Sequence, residues 1–150
     1  MLPEIFAEQL QLQRGVYRTQ AHQEGASDQA VIDHVKDCVL AATDELHEAL
    51  NEVSWKPWQS ATYIRKEAFC GEIVDCLHFL VSACLAVGVS AEDLYAGYQA
   101  KALRNQARQE AGYTGLEKCP WCRRALDDGT CDCVDLDHET TTGGRYWKGQ

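Results

Sequence analysis

The stretch that decides the fold is DQAVIDHVKDCVLAATDELHEALNEV, residues 28–53. Its apolar side chains recur every three or four residues, which is the spacing of one face of an α-helix. Ser27 precedes the pattern as a capping hydroxyl, and Pro57 disfavours helical geometry at the residue before it. We therefore predict one long helix with a continuous core face, formed by Val31, Val35, Val39, Ala42, Leu46, Ala49, Leu50 and Val53.

Three other segments within the first 112 residues have helical periodicity, and no segment there shows the alternation of a strand. They cover residues 2–18, 63–87 and 91–110, and Gly88 and Gly112 fit the ends of the last two. The third helix is expected to bury Ile73, Leu77, Leu80, Val81, Cys84 and Leu85. Ser90 with Asp93 resembles a cap for the fourth. Four amphipathic helices predict an all-α fold, a four-helix bundle.

Composition excludes some classes of function. The 150 residues carry a net charge of −9, which argues against direct nucleic-acid binding because that needs a basic surface. We find no signal peptide, and the most apolar stretch is interrupted by Asp75 and His78, so we expect a cytoplasmic protein without a membrane span. An acidic protein can still bind a phosphorylated substrate through divalent cations.

Two pairs of acids point to such a cation site. Glu45 and Glu48 lie three residues apart on the second helix, and Glu72 and Asp75 repeat this spacing on the third. Residues at this spacing lie on one face of a helix, so two packed helices would direct four carboxylates into one gap. Oxygen ligands suit Mg²⁺ or Mn²⁺. The alternative is that these acids simply face water.

The pattern E-x-x-E, 23 residues, E-x-x-D resembles that of the all-α NTP pyrophosphatase superfamily, which includes the MazG proteins, the dimeric dUTPases and phosphoribosyl-ATP pyrophosphatase. The resemblance covers about residues 28–114 and is closest to the dimeric dUTPase and phage MazG-like branch. Three segments carry it besides the acids: Trp55-Lys56-Pro57-Trp58, the segment from Glu72 to Phe79, and the late set Lys101, Asn105, Arg108 and Tyr113.

This resemblance implies hydrolysis between the α- and β-phosphates of a nucleotide, with dUTP first and a dGTP-like deoxynucleotide as an alternative. The four acids would be the magnesium ligands. The implied substrate-binding residues are Trp55, Lys56, Trp58, His78, Lys101, Asn105, Arg108 and Tyr113, with Gln9 and Gln13 as weaker matches for base contacts. Core packing of the tryptophans and a solvated face for the cations are the alternatives. The resemblance implies a homodimer or homotetramer, and we expect it in a phage or bacterial cytosol.

A cysteine cluster follows the helical region. Cys119, Cys122, Cys131 and Cys133 form C-x2-C-x8-C-x-C, which suits a structural Zn²⁺ bound by four thiolates. Two disulfides or unligated thiols are the alternatives, and His138 is a substitute ligand. We divide the chain into an all-α pyrophosphatase domain at 1–114, a zinc-ribbon-like appendage at 115–140 and a flexible tail at 141–150.

Two other functions fit parts of this sequence. Asp75-x-x-His78 has the spacing of the metal-binding E-x-x-H of ferritin-like carboxylate oxidases, but that class has the motif on two helices and the second helix here carries Glu45-x-x-Glu48. A non-enzymatic interaction protein that docks through its zinc knuckle is the other alternative.

Overall fold

The structure is a computed structural model that describes residues 1–112, 118–119 and 122–124, and this part of the chain contains helices and no strand. The α-helices are α1 (Leu2–Gln11), α2 (Asp28–Asn51), α3 (Lys66–Ala86) and α4 (Ala91–Glu110). The predicted all-α class is confirmed for these residues, whereas the bundle type remains a prediction. The chain forms two compact units, Met1–Gln99 and Ala100–Gln150, so the three-part division predicted above also remains a prediction.

The first helix does not keep regular α geometry over its predicted length. Beyond Gln11 the chain continues as a π-helical segment, Leu12–Tyr17, and ends at Arg18 in a left-handed conformation with φ of 52°. A short 3₁₀ turn, Gln20–His22, then leads toward α2. Because a π-helix holds more residues per turn than an α-helix, this segment changes which side chains point inward.

Helices α2 and α3 pack along each other and form the centre of the first unit. The start of α2 is as predicted, because the Ser27 hydroxyl accepts a hydrogen bond from the backbone N–H of Ala30 at 3.2 Å. The residues of α2 that are fully buried are small: Cys38, Ala42 and Ala49. At the contact between α2 and α3, the Cys76 thiol of α3 donates a hydrogen bond to the carbonyl oxygen of Ala42 at 3.3 Å. Small side chains allow the two helices to approach closely.

Helix α3 begins three residues later than predicted. Val53 and Ile64 form an antiparallel bridge, and the N–H of Arg65 donates to the carbonyl oxygen of Glu52 at 2.9 Å. These bonds tie residues 64 and 65 to the residues that follow α2, and the helix starts at Lys66. The loop between α2 and α3 is therefore closed at its base.

The buried core of the first unit is small. Phe6 of α1, Val81 of α3 and Ala91 of α4 pack together, and Cys84 and Leu85 contact this cluster as predicted. Ala42 and Ala49 are also buried as predicted. The prediction was wrong for Val39, Leu46 and Leu80, which are each exposed by more than half, and for the partly exposed Leu50, Ile73 and Leu77. Among the described residues, part of the apolar faces of α2 and α3 is therefore left uncovered by the other helices.

The junction of α3 and α4 follows the prediction. Gly88 adopts a left-handed conformation with φ of 82° directly after α3, which favours glycine. The Asp93 N–H donates to the Ser90 hydroxyl at 3.0 Å, and the Asp93 carboxylate accepts from the Ser90 N–H and O–H groups at 3.1 and 2.7 Å. This reciprocal pair caps the first turn of α4.

Helix α3 is long and apolar enough for a membrane span, in contrast to the expectation above. Its length and composition alone are weak evidence, because the central helix of a helical protein has the same properties. Glu72 and Asp75 lie within α3, and carboxylates at the centre of a bilayer are costly. Its packing along α2 and these two acids favour a helix of the helical domain over a membrane span.

Candidate active site

The acidic cluster of the first unit consists of Glu45 on α2 and Glu72 and Asp75 on α3. One carboxylate oxygen from each of these three residues lies within 4.8 Å of those from the other two. Close packing of α2 against α3 brings the three together. Glu45 and Glu72 are half-buried, and Asp75 is exposed. Glu48, the fourth predicted ligand, is exposed on α2 and lies outside this group of three.

The negative charges of the carboxylates in this cluster repel one another. Partial burial raises the pKa of Glu45, and the negative charges of Glu48, Asp75 and Glu72 raise it further. Glu48 therefore acts on Glu45 electrostatically even though it is not in the group of three. A divalent cation would remove this repulsion, because it replaces like-charge contacts with attractive ones.

A cavity of about 450 Å³ opens beside two of the acids. The acids Glu45 and Asp75 form part of its wall. Side chains of three kinds line the remainder, namely amide, imidazole and apolar or aromatic groups, from Gln9, Leu12, Gln13, Tyr17, His78 and Phe79. Such a mixture of apolar walls and a few polar groups is typical of sites for small organic ligands.

Both glutamines of the cavity wall are buried and held in place. The Nδ1–H of His78 donates to Oε1 of Gln9 at 2.6 Å. The hydroxyl of Thr19 donates to Oε1 of Gln13 at 2.5 Å. With their oxygens held as acceptors, the two amides have their NH₂ groups as donors. His78 thus supports Gln9 of the cavity wall, and its predicted contact with substrate remains a prediction.

The aromatic-Lys-x-aromatic segment lies in the closed loop between α2 and α3. Trp55 and Trp58 are 49% and 77% exposed, which excludes the core-packing alternative in the single chain. Nζ of Lys56 lies 5.5 Å from the centroid of the Trp55 ring. None of these three residues lines the cavity beside the acids. Their predicted contacts with substrate therefore remain a prediction.

The remaining predicted residues lie in the second unit or outside the described part of the chain. Lys101, Asn105 and Arg108 are on α4 in the second unit, whereas the acidic cluster lies in the first. Tyr113 lies outside the described residues. So do Cys131, Cys133 and His138, and the zinc site remains a prediction. Cys119 is buried and Cys122 is exposed, in a turn where the Arg123 N–H donates to the Cys119 carbonyl oxygen at 2.9 Å.

Leu12 and Tyr17 line the cavity although no pattern in the sequence predicted this position for them. Both belong to the π-helical segment, and no sequence signal marks the change from α to π geometry. Phe79 was noted only as part of the segment that begins at Glu72. Its position one turn beyond Asp75 on α3 could have indicated that it lies near the acids.

Comparison with known proteins decides the family. Residues 1–87 match the model of a protein family described as dUTPase. The chain belongs to this dUTPase family. The match includes α1, α2, α3 and all four acids of the predicted quartet, and so it begins earlier than the resemblance read from the sequence and ends before α4. Searches of curated proteins and of solved structures gave no significant match.

Membership of the dUTPase family indicates a nucleotide substrate and a nucleotide pyrophosphatase type of activity, in which a hydrolase cleaves an acid anhydride. The acidic cluster and the adjoining cavity both lie within residues 1–87, so the family match covers the whole candidate site. The closer relation to MazG proteins predicted from the sequence remains a prediction.

Proposed function

We propose that this dUTPase-family protein is a Mg²⁺-dependent pyrophosphohydrolase that converts a deoxynucleoside triphosphate, dUTP first, to the monophosphate and pyrophosphate. The observation that carries the proposal is the position of Glu45 and Asp75 in the wall of a cavity of about 450 Å³ whose other walls are aromatic, apolar and amide groups. This arrangement places acids next to a space of the size that a small ligand needs.

The acidic cluster fits a magnesium ion by its chemistry. Its three grouped side chains offer only carboxylate oxygens, which are the ligands that Mg²⁺ prefers, and their mutual repulsion favours a cation between them. Glu45, Glu72 and Asp75 would hold the ion, with Glu48 as the fourth ligand or as the group that orients the attacking water. When bound, magnesium supplies Lewis acidity and offsets the negative charge of the triphosphate.

The protein side chains would bind and orient the nucleotide. Tyr17 and Phe79 offer aromatic surfaces beside the acids, against which a base can pack. The water oxygen attacks one of the two phosphorus atoms, α or β, and forms a new P–O bond while the bond from that phosphorus to the bridging oxygen breaks. The products are the monophosphate and pyrophosphate. A carboxylate of the cluster that is not engaged with the ion would accept the proton of the water.

The anchored glutamines favour uracil over cytosine. Gln9 and Gln13 have NH₂ groups as donors, and uracil has two carbonyl oxygens that accept hydrogen bonds. Cytosine has an amino group in place of one of these oxygens, and a donor facing a donor forms no hydrogen bond. A site whose buried amides donate hydrogen bonds discriminates against a base that presents no acceptor to them.

The proposal includes the remaining predicted substrate residues. Lys56, Lys101, Asn105, Arg108 and Tyr113 are proposed to bind phosphate oxygens. Trp55 and Trp58 are proposed to contact the base, their rings being exposed at the loop. A homodimer or homotetramer would bring such groups from more than one chain to each site.

The experiment is a pyrophosphate-release assay over the common ribo- and deoxynucleoside triphosphates with dUTP included. We expect hydrolysis to need Mg²⁺ or Mn²⁺, to stop on addition of EDTA, and to be fastest with dUTP. The variant Glu45→Gln removes one ligand charge at nearly constant size, and it should reduce kcat/KM by more than about 100-fold, which is the upper range for loss of an outer-sphere partner.

The matched control is Asp44→Asn, because Asp44 is an exposed acid directly beside Glu45 that does not belong to the group of three. This variant should keep nearly full activity. Hydrolysis unaffected by Glu45→Gln would contradict the metal assignment. An absence of pyrophosphate release with every nucleotide would favour the non-enzymatic interaction protein.

A further inference from the structure

A buried polar network in the first unit shares no residue with the acidic cluster or with the wall of the adjoining cavity. It consists of His22 in the 3₁₀ turn, His34 on α2 and Ser82 on α3. His22 and Ser82 are buried, with exposed fractions of 4% and 1%. Because histidine changes its charge near neutral pH, the protonation state of this pair affects how the three elements pack together.

The hydroxyl of Ser82 connects the two imidazoles. Its Oγ atom lies 2.9 Å from Nε2 of His34 and 3.1 Å from Nε2 of His22, and the two Nε2 atoms are 3.2 Å apart. With both imidazoles neutral, one Nε2–H donates to the hydroxyl, and the hydroxyl donates to the unprotonated Nε2 of the other ring. Two protons thus satisfy all three polar atoms, and the arrangement requires one Nε2 without a proton.

Protonation removes the acceptor nitrogen on which this network depends. If the second Nε2 also carries a proton, two N–H donors face each other across 3.2 Å, and a positive charge lies in a buried position. Two donors form no hydrogen bond with each other, and an unpaired buried charge is costly. The neutral form is therefore the one that fits the packing of the 3₁₀ turn against α2 and α3.

The groups that face the pair come from three elements. Burial lowers the pKa of His22, and the positive charges of His34 and of Arg14 from the π-helical segment lower it further. Burial also lowers the pKa of His34, whereas the negative charge of Asp37 on α2 opposes this shift. Burial raises the pKa of the neighbouring Cys38 thiol, which keeps it uncharged, and α3 presents the uncharged serine hydroxyl. Neutral imidazoles are thus favoured in the packed state.

The network is connected to the cavity wall through the 3₁₀ turn. The backbone N–H of His22 donates to the carbonyl oxygen of Thr19 at 3.0 Å, and the Thr19 hydroxyl donates to Oε1 of Gln13 in the wall. The carbonyl oxygen of His22 accepts a hydrogen bond from Nε of Arg14 at 2.8 Å. Gln13 and Arg14 belong to the π-helical segment, which also brings Tyr17 to the cavity. Movement of the turn away from α2 and α3 would therefore displace this wall.

We propose that His22, His34 and Ser82 form a pH-sensitive latch that holds the π-helical segment in place at neutral pH and releases it in mild acid. The three are positioning residues, because they line neither the acidic cluster nor the cavity. In mild acid the protein would bind nucleotide less tightly, since Gln13 and Tyr17 would leave their positions. That consequence rests on the proposed function, whereas the opening of the latch does not.

The test is hydrogen–deuterium exchange of the full chain at pH 7.5 and pH 5.5, measured by mass spectrometry and corrected for the intrinsic effect of pH on exchange. The ordinary pKa of histidine, 6.5, lies one unit above the lower pH, so each imidazole that only the open form can protonate favours opening about tenfold. We expect the protection of residues 12–22 to fall by at least about tenfold. The protection of residues 39–50 on α2 should change little.

The double variant His22→Gln with His34→Gln removes both titratable groups and keeps an amide that can form hydrogen bonds near each Nε2 position. Its residues 12–22 should be equally protected at both pH values. The matched control is His47→Gln, at an exposed histidine of α2, which should lose protection as the parent protein does. Because the acidic cluster is intact in the double variant, a loss caused by its carboxylates would persist there.

Steady-state kinetics connect the latch to the proposed function. Between pH 7.5 and pH 5.5, KM for dUTP should rise more in the parent protein than in the double variant, while the ratio of their kcat values changes little. An equal rise of KM in both proteins would overturn the connection between the latch and the cavity. Absence of hydrolysis would contradict the proposed function, and the exchange experiment would still decide whether the latch opens.

Two exchange results would overturn the latch itself. The first is a folded parent protein whose residues 12–22 are equally protected at both pH values. The second is a loss of protection that persists in the double variant. If that variant fails to fold, NMR titration of the parent protein decides, because the amide signals of Gln13 and Tyr17 must then shift with the same midpoint as the ring signals of His22 and His34. A different midpoint would overturn the proposal.

Discussion

Gln13 is a buried amide of the cavity, anchored through its oxygen by Thr19. The variant Gln13→Leu keeps the approximate volume and removes the donor that we assign to the base. We expect KM for dUTP to rise about 10-fold, the equivalent of one hydrogen bond of about 1.4 kcal/mol, while kcat changes little.

Steady-state kinetics with dUTP and dCTP measure this effect. Gln106→Leu, a substitution of the same kind at an exposed glutamine of α4, is the control and should leave both constants unchanged. A tenfold fall in kcat with KM unchanged would indicate that Gln13 acts in the reaction step and not in recognition of the base.

His78 is the partner of the other buried amide, at a hydrogen-bond distance of 2.6 Å from Gln9. Because a buried polar group without its partner keeps its full desolvation cost, His78→Leu should lower the free energy of unfolding by about 1–3 kcal/mol. Urea denaturation measures the difference.

His47→Leu is the matched control, since His47 is an exposed histidine on α2, and it should change stability little. Equal stability of the two variants would mean that Gln9 does not depend on His78.

At the scale of the helices, the cap of α4 gives a dependence on pH. Hydrogen bonds from the Ser90 hydroxyl and backbone N–H lower the pKa of Asp93 below its ordinary value of 3.8. The folded state therefore binds this proton less readily than the unfolded state, so the stabilisation is complete above 3.8 and is lost as the pH falls through the lowered pKa.

Asp93→Asn should consequently be less stable than the parent protein at pH 6, and the difference should shrink below pH 3.8. Chemical denaturation at several pH values measures it. Glu92→Gln removes a neighbouring acid of the same first turn that does not form the cap, and it should not show this convergence.

The helices themselves were predictable because their signals are local. The hydroxyl of Ser27, the Ser90–Asp93 pair and Gly88 act within a few residues, and each has the role expected from the sequence. The late start of α3 was not predictable, because it depends on pairing between Val53 and Ile64 across the loop.

The candidate site was predictable where its acidic residues recur at helical spacing along one helix. The i, i+3 spacing placed Glu72 and Asp75 on one side of α3, and packing against α2 added Glu45. A buried polar contact in the same unit has no such repeat, because His22 and Ser82, whose Nε2 and Oγ atoms lie 3.1 Å apart, come from separate elements.

For the whole molecule, the exposed apolar faces of α2 and α3 predict self-association. Val39, Leu46 and Leu80 were expected in the core and are each 52% exposed in the single chain. Apolar side chains at neighbouring positions of two packed helices form a surface that soluble monomers rarely leave uncovered. Another copy of the chain would bury them and explain the original pattern.

Leu80→Lys should therefore convert a dimer or tetramer to smaller species, because it would bury a charge in the contact. Analytical ultracentrifugation over a range of concentrations measures this change. Leu103→Lys, at a 68% exposed leucine of α4, is the control and should leave the association state unchanged. A parent protein that is monomeric at all concentrations would contradict this prediction.

The closed base of the loop between α2 and α3 has a consequence for how this protein can diversify. The bonds between Glu52 and Arg65 and between Ser54 and Tyr63 fasten the two ends, so the tip that carries Trp58 is mechanically separated from the helices. Doubling the length of a flexible loop costs only about 0.6 kcal/mol. Insertions at this tip should therefore change the stability of the fold little and leave the acidic cluster on α2 and α3 in place.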